Sequence, residues 1–347
     1  MRNKTVYWVL LCVLLLPMLA GCGGSQTVDE GTGDSVATEL NIAVVHEFTV
    51  EQGWSLELMQ AIDQIAAENP HGLTINVDYT ENVGLSDAEN VFREYAETGK
   101  YDVIWAHSGY SDQVANVYED YPEILWVLAG PGNVPLGDNV YWVYVHMHEQ
   151  GYILGTLAGM LTESNVLGLV AAYPFPDPAD VLNGFIEGAR SVNPDIEARV
   201  TYIESWYDPP LAREAAQAQI ASGADIIFAE RYGPFEACEE EGLYCFGQYI
   251  DYYDTHPESF VTGTQLSWNP LVRYILDEYW AHVSEGVPYD GQTDEPYWLS
   301  MADGGGDVFP LRDWVNELPD DVVARFDETR DAVLDGSLVV PLNEEAP

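Results

Sequence analysis

Positive charge is what this chain has least of. Its 347 residues hold 12 Lys and Arg against 58 Asp and Glu, a formal net charge of −46. That imbalance argues against binding to nucleic acid or anionic lipid headgroups, both of which are gripped by rows of cationic side chains. Catalytic motifs are missing too: there is no Gly-x-Ser-x-Gly elbow, no Gly-x-x-x-x-Gly-Lys phosphate cradle and no His-Glu-x-x-His helix. Carboxylate pairs are abundant, but solvation accounts for them, so neither an enzyme nor a bound cofactor is expected. No apolar run reaches the roughly 20 residues of a membrane span, and no repeat exists beyond an echo between two halves. Cysteine is scarce, with Cys12, Cys22, Cys238 and Cys245 the only four.

What is present begins with an address. Arg2 and Lys4 precede the apolar stretch 6–16, and Leu19-Ala20-Gly21-Cys22 places small residues before a cysteine. This is the pattern of a lipoprotein signal over 1–21, cleaved so that Cys22 takes the lipid. The polar run that follows, to about residue 38, reads as a flexible tether. Loss of the signal leaves ten basic residues against the same 58 acids, and Lys100 as the only lysine. Self-repulsion on that scale is tolerable where concentrated ions shorten the Debye length to about 3 Å or less, which implies a salt-loving source. Cys238 and Cys245 then remain as a disulfide or as two small buried thiols.

Beyond the tether, strands and helices alternate. Strands are predicted at 40–45, 74–79, 102–106, 124–128 and 140–145, with helices at 54–68, 87–98 and 111–121 between them. The pattern restarts with strands at 166–171, 198–203, 225–229 and 243–246 and helices at 180–192, 211–222 and 235–241. Such alternation implies βαβ units and doubly wound parallel sheets, an α/β fold in two lobes. The chain is long enough for two cores at about 100–200 residues each. A strand at 261–265 and a helix at 270–285 follow, then a segment from 291 to 347 in which the periodicity fades before a last helix at 320–334. The glycine run 304–306 between Asp303 and Asp307 lacks the spacing of a calcium loop.

One stretch organises the rest. Gly151, Gly155 and Gly159 fall at four-residue spacing on a predicted helix, so that another backbone can come close on that face. Glu149 precedes it, a Leu-Gly-Leu-Val strand follows, and then come Gly184-Phe185-Ile186-Glu187-Gly188-Ala189-Arg190-Ser191-Val192-Asn193-Pro194 and Ser205-Trp206-Tyr207-Asp208-Pro209. This order of motifs resembles the basic membrane protein family, the substrate-binding lipoproteins of ABC importers for purine nucleosides and related ligands. The resemblance extends from about Ile42 to Gly286. It implies a periplasmic-binding-protein fold of type I: a first lobe of 39–147 plus about 264–290, a second lobe of 148–263, and a divergent tail from 291.

Ligands of open α/β sheets sit beyond the carboxyl ends of the strands, and a cleft between two lobes gathers those ends from both sides. The first lobe offers His46-Glu47, Gln52-Gly53-Trp54 and His107-Ser108-Gly109-Tyr110. The second offers Tyr173, Ser205 to Asp208, Glu230-Arg231-Tyr232, and Gly247-Gln248-Tyr249 with Asp251. From these, with Trp268, we take Trp54, Tyr110, Tyr173, Trp206 and Trp268 as candidate stacking rings and Asp208, Glu230 and Asp251 as candidate anchors. Stacked rings and hydrogen-bonding carboxylates suit a planar nitrogenous solute. Each has a plainer alternative in core packing, a helix cap or solvation. His146-x-His148 shares one strand face but lacks a placeable third ligand, so no metal is expected.

Members of the resembling family that bind nucleosides carry a Ser-Phe-Asn stretch in the first loop and a lysine for the sugar. Here the loop reads Glu51-Gln52-Gly53-Trp54-Ser55, and the second lobe has no lysine. The expectation is therefore a monomeric, lipid-anchored receptor on the outer face of the cytoplasmic membrane. It would bind a purine-like heterocycle, adenine in preference, and hand it to ABC permease subunits. The alternative keeps the lobes but makes the protein a sensor for another heterocycle, such as riboflavin.

Overall fold

Short apolar runs separated by amphipathic helices form two parallel-dominated sheets. The computed structural model describes residues 37–347, so the predicted signal, Cys22 and nearly all of the tether lie outside the described residues. In the first lobe β1 (Glu39–His46), α1 (Gly53–Glu68), β2 (Thr74–Thr80), α2 (Leu85–Glu97), β3 (Val103–His107), α3 (Ser111–Ala115), β4 (Leu125–Ala129) and β5 (Val140–Val143) follow one another. They make a five-stranded parallel sheet in the order β2-β1-β3-β4-β5. β3 and β4 are buried along their whole length, as strands covered by helices on both faces must be, whereas the edge strand β2 has no buried residue.

The second lobe contains α4 (His148–Leu161), β6 (Val166–Ala171), α5 (Pro176–Val192), β7 (Glu197–Tyr202), α6 (Pro209–Ala221), β8 (Ile226–Ala229), α7 (Phe235–Glu241), β9 (Tyr244–Gln248) and β10 (Phe260–Leu266). After β10 come α8 (Asn269–Glu285), β11 (Gly306–Val308), α9 (Trp314–Glu317) and α10 (Asp320–Leu334). The second sheet runs β11-β10-β9-β8-β6-β7, with only β11 antiparallel. α8 leaves this sheet and packs on α1 of the first lobe, where Tyr141 donates to Glu278 at 2.8 Å. The segment after residue 291 joins both lobes. Tyr297 bridges to Val143, β11 edges the second sheet, and α10 packs on α4. Asp303 closes a turn capped by Ser300, and Asp307 pairs with Arg330, which accounts for both aspartates flanking the glycine run.

The glycines of α4 meet α5 at backbone distance. A Cβ on Gly155 would stand 1.9 Å from the carbonyl oxygen of Phe185, and one on Gly188 would stand 2.0 Å from that of Tyr152. No side chain fits between these helices, which explains the four-residue glycine spacing. Two boundaries differ most from the periodicity. The helix expected over 111–121 stops at Ala115 and is followed by a separate single turn at Tyr118–Asp120. α5 begins at Pro176, four residues early, because a proline in the first helical turn needs no N–H and has the right φ already. Cys238 and Cys245 are buried neighbours and are free thiols, not a disulfide.

Candidate functional site

The carboxyl ends of β1, β3 and β4 in one lobe and of β6, β7, β8 and β9 in the other converge on a cavity of about 410 Å³. The first lobe lines it with Glu47, Phe48, Gln52, Trp54, Ser55, His107 and Ser108; the second lobe adds Phe175, Asp177, Trp206, Arg231 and Tyr249. The lobes also touch directly. The Gly53 N–H, unpaired within α1 because it opens the helix, donates to the Tyr232 hydroxyl at 3.0 Å. A Cβ at Gly53 would stand 2.8 Å from the Tyr249 Cβ, so only glycine allows this approach. These contacts bridge the two lobes at one side of the cleft.

Trp54 is held as a flat wall. It stacks on His107 (centroids 5.4 Å, planes 21° apart) and meets Trp268 edge-on at 4.8 Å and Tyr249 at 5.9 Å. His107 Nε2 lies 3.3 Å from the Trp54 carbonyl oxygen. Burial, with His46 beside it, drives His107 well below the usual imidazole range, and burial brings His46 down to about 4. Both rings are neutral at pH 7, so this wall carries no positive charge.

The opposite wall is built around an ion pair. Glu230, buried at the end of β8, accepts from the Ala172 N–H at 2.9 Å and from Arg231 Nε at 2.8 Å. The Arg231 guanidinium also donates to the Trp206 carbonyl oxygen at 3.1 Å and lies 5.5 Å from the Trp206 ring centroid, so it fixes the indole. Tyr173 and Phe175 stack on each other beside Trp206. Asp177, in the first turn of α5, is 8% exposed and has no hydrogen-bond partner among the described residues. Burial pushes its carboxyl well above the usual range, reinforced by Asp180 and Glu230 and opposed by Arg231.

Of the sequence-predicted residues, Trp54 and Trp206 line the cavity from opposite lobes. The others stand elsewhere. Tyr110 is wholly buried against Phe92, with its hydroxyl bonded to the Val83 carbonyl. Trp268 lies beneath Trp54 at 1% exposure and supports it from behind. Tyr173 donates to the Glu204 carbonyl at 2.6 Å. Asp208 caps α6 by accepting from the Leu211 N–H. Asp251 pairs with Arg312, and Glu230 is taken by Arg231 and Ala172. His146 bonds Asp180 at 2.9 Å; burial lowers the histidine to about 4 and raises the acid, so this is a neutral hydrogen bond. Glu149 accepts from the Met301 N–H at 2.6 Å. Among the described residues no group of His, Cys, Asp and Glu is arranged to hold a metal. Sequence reasoning passed over Phe175 and Asp177, because Pro174-Phe175-Pro176-Asp177-Pro178 reads as loop. Arg231 did carry a signal, as a rare cation directly after an apolar strand.

A two-lobed α/β body that closes over a cavity lined from both sheets defines a solute-binding protein. The chain belongs to the family of PnrA-like ABC transporter substrate-binding proteins, whose model matches residues 40–286. It is 30% identical over 322 residues, 92% of this chain and 78% of the relative, to a protein of Haloferax volcanii named as an ABC transporter glucose-binding protein. It is 25% identical over 293 residues, 82% of this chain and 78% of the relative, to a purine-binding protein of Brucella abortus. Among solved structures, an ABC transporter solute-binding protein of Aeropyrum pernix superposes with a TM-score of 0.69 at 17% identity, covering 88% of this chain and 94% of that one. The protein is therefore a non-enzymatic receptor that presents a small molecule to a permease outside the cytoplasmic membrane. Among the described residues no helix is long and apolar enough to cross a membrane.

Proposed function

We propose that the cleft binds a purine nucleobase or nucleoside, adenine-like in preference, for delivery to an ABC permease. The observation that carries this reading is the pair of indoles, Trp54 and Trp206, set in opposite lobes around one cavity of about 410 Å³. Faces of this kind hold a flat ring by stacking, each contact being worth about 1–3 kcal/mol. The walls are predominantly aromatic and apolar, which favours a heterocycle over a polyhydroxylated solute. The purine-binding relative supports the same choice. The absence of lysine in the second lobe favours a free base over a nucleoside.

A hexose is the second reading, favoured by the glucose-binding name of the Haloferax volcanii relative and by Gln52, Ser108 and Arg231 on the walls. Calorimetric titration of the unlipidated protein at high salt with adenine, guanine, hypoxanthine, adenosine, riboflavin and glucose separates these readings. Heat from glucose with silence from every purine would replace the first by the second. A riboflavin response alone would favour the heterocycle-sensor alternative. We further propose that the receptor works as a monomer held to the membrane by lipid on Cys22. Under that reading, Cys22→Ser sheds the protein into the medium, and sedimentation gives the mass of one chain.

A further inference from the structure

Of the buried carboxylates at the head of the second lobe, Asp177 alone makes no hydrogen bond to the protein among the described residues. Glu230 has Arg231 and the Ala172 N–H, and Asp180 has His146 and the Met147 N–H on one oxygen, its other oxygen being buried away from the cavity wall residues without a partner. Asp177 has none, yet it is 8% exposed and lies on the cavity wall with Trp206 and Arg231. A buried carboxyl without a partner is costly, and a ligand group is the partner the geometry leaves open. We propose that Asp177 is the specificity-determining residue of the cleft. It reads the edge of the base, giving one O–H donor to a ring nitrogen and one carbonyl acceptor to the adjacent amino group, as adenine requires. This rests on the nucleobase reading above.

The surroundings favour the protonated acid that such an edge needs. Asp180 from α5, Glu230 from the end of β8 and Glu344 from the C-terminal segment all face Asp177 with the sign that resists ionisation. Arg231 opposes them, already engaged with Glu230, and the Tyr249 ring is a further neighbour. A carboxylic acid kept neutral at pH 7 can donate as well as accept; an ionised one offers acceptors only.

The test titrates adenine and unsubstituted purine, which lacks the amino donor, into the wild type, Asp177→Ala and Asp177→Asn, each first checked for folding by circular dichroism. The wild type is expected to prefer adenine by about tenfold or more, because a site built to bond an N–H rejects the analogue without it. Asp177→Ala is expected to erase that preference and Asp177→Asn to restore it, since an amide offers the same donor and acceptor side by side. Adenine affinity of the wild type is expected to fall as rising pH ionises Asp177, while that of Asp177→Asn stays level. If Asp177→Ala keeps the preference, the assignment is wrong and the nucleobase reading stands. An Asp177→Asn variant as weak as Asp177→Ala overturns the donor role. A wild type that binds neither adenine nor purine overturns the assignment, and silence from guanine, hypoxanthine and adenosine as well overturns the nucleobase reading with it.

Discussion

Trp206 and Trp54 face the same cavity but are held differently, and their substitutions should separate accordingly. Trp206 is half-buried among Tyr173, Phe175 and Arg231, so Trp206→Ala should weaken the bound heterocycle by about 1–3 kcal/mol in calorimetry and leave the melting temperature nearly unchanged. Trp54 also packs on His107 and Trp268, so Trp54→Ala should lower both affinity and melting temperature. A second residue-scale prediction concerns pH. His46 is fully buried, with neither ring nitrogen paired, and burial brings it down to about 4 in the folded chain from the 6.5 of a free imidazole. Below pH 6.5 the unfolded chain takes a proton that the native ring refuses. Stability is therefore lost as pH falls toward about 4 and the loss levels off beneath it. His46→Leu should remove that term, so its stability relative to wild type should grow by on the order of 3 kcal/mol between pH 7 and pH 4 in urea titrations. A constant difference would show that the ring is hydrated in the native state.

At the scale of elements, the α4–α5 pair turns a usual rule around. Replacing a helical glycine by alanine ordinarily gains about 1 kcal/mol. At Gly155 the new methyl would meet the Phe185 carbonyl oxygen at 1.9 Å, and that atom is backbone that cannot swing aside. Gly155→Ala should therefore cost about 3 kcal/mol or more in denaturant unfolding, the upper end of overpacking penalties. The glycine spacing revealed this contact in the sequence, because a regular cost at four-residue intervals needs a reason. The start of α5 was not legible in the same way. Prolines at 174, 176 and 178 suppress any helical periodicity, and only the fold shows that the last two lie inside the first turn. That shift carries Asp177 from a supposed loop to the cleft wall.

For the molecule as a whole, charge sets the conditions of stability. With 58 acids against 12 bases, repulsion in the compact state should be relieved as the Debye length falls from about 10 Å at 0.1 M salt to about 3 Å at 1 M. The melting temperature should rise steadily with potassium chloride across that range and beyond; a flat response would remove the inference of a salt-rich setting. Ligand adds a separate increment: at a hundred times the dissociation constant it should stabilise the closed form by about 2.7 kcal/mol, visible as a further rise in melting temperature.

The alternation of apolar strands and amphipathic helices, the two lobes and the absence of catalytic motifs were determined by the sequence, because each follows from local periodicity or composition. Trp54 and Trp206 were legible for a related reason: each lies in the strand-to-helix connection, at the start of α1 or in the loop after β7, and those connections form the ligand-facing edge of an open sheet. Which carboxylate is left for a ligand was decided by tertiary structure alone. Asp208, Glu230, Asp251 and Asp177 look alike in a chain so rich in acids, and they differ in what bonds them: a helix N-terminus, Arg231, Arg312 and, for Asp177, no hydrogen-bond partner among the described residues. The cap by Asp208 and the neighbour Arg231 are local in sequence, but the pairing of Asp251 with Arg312, 61 residues away, and the burial of Asp177 come from packing that no spacing along the sequence encodes.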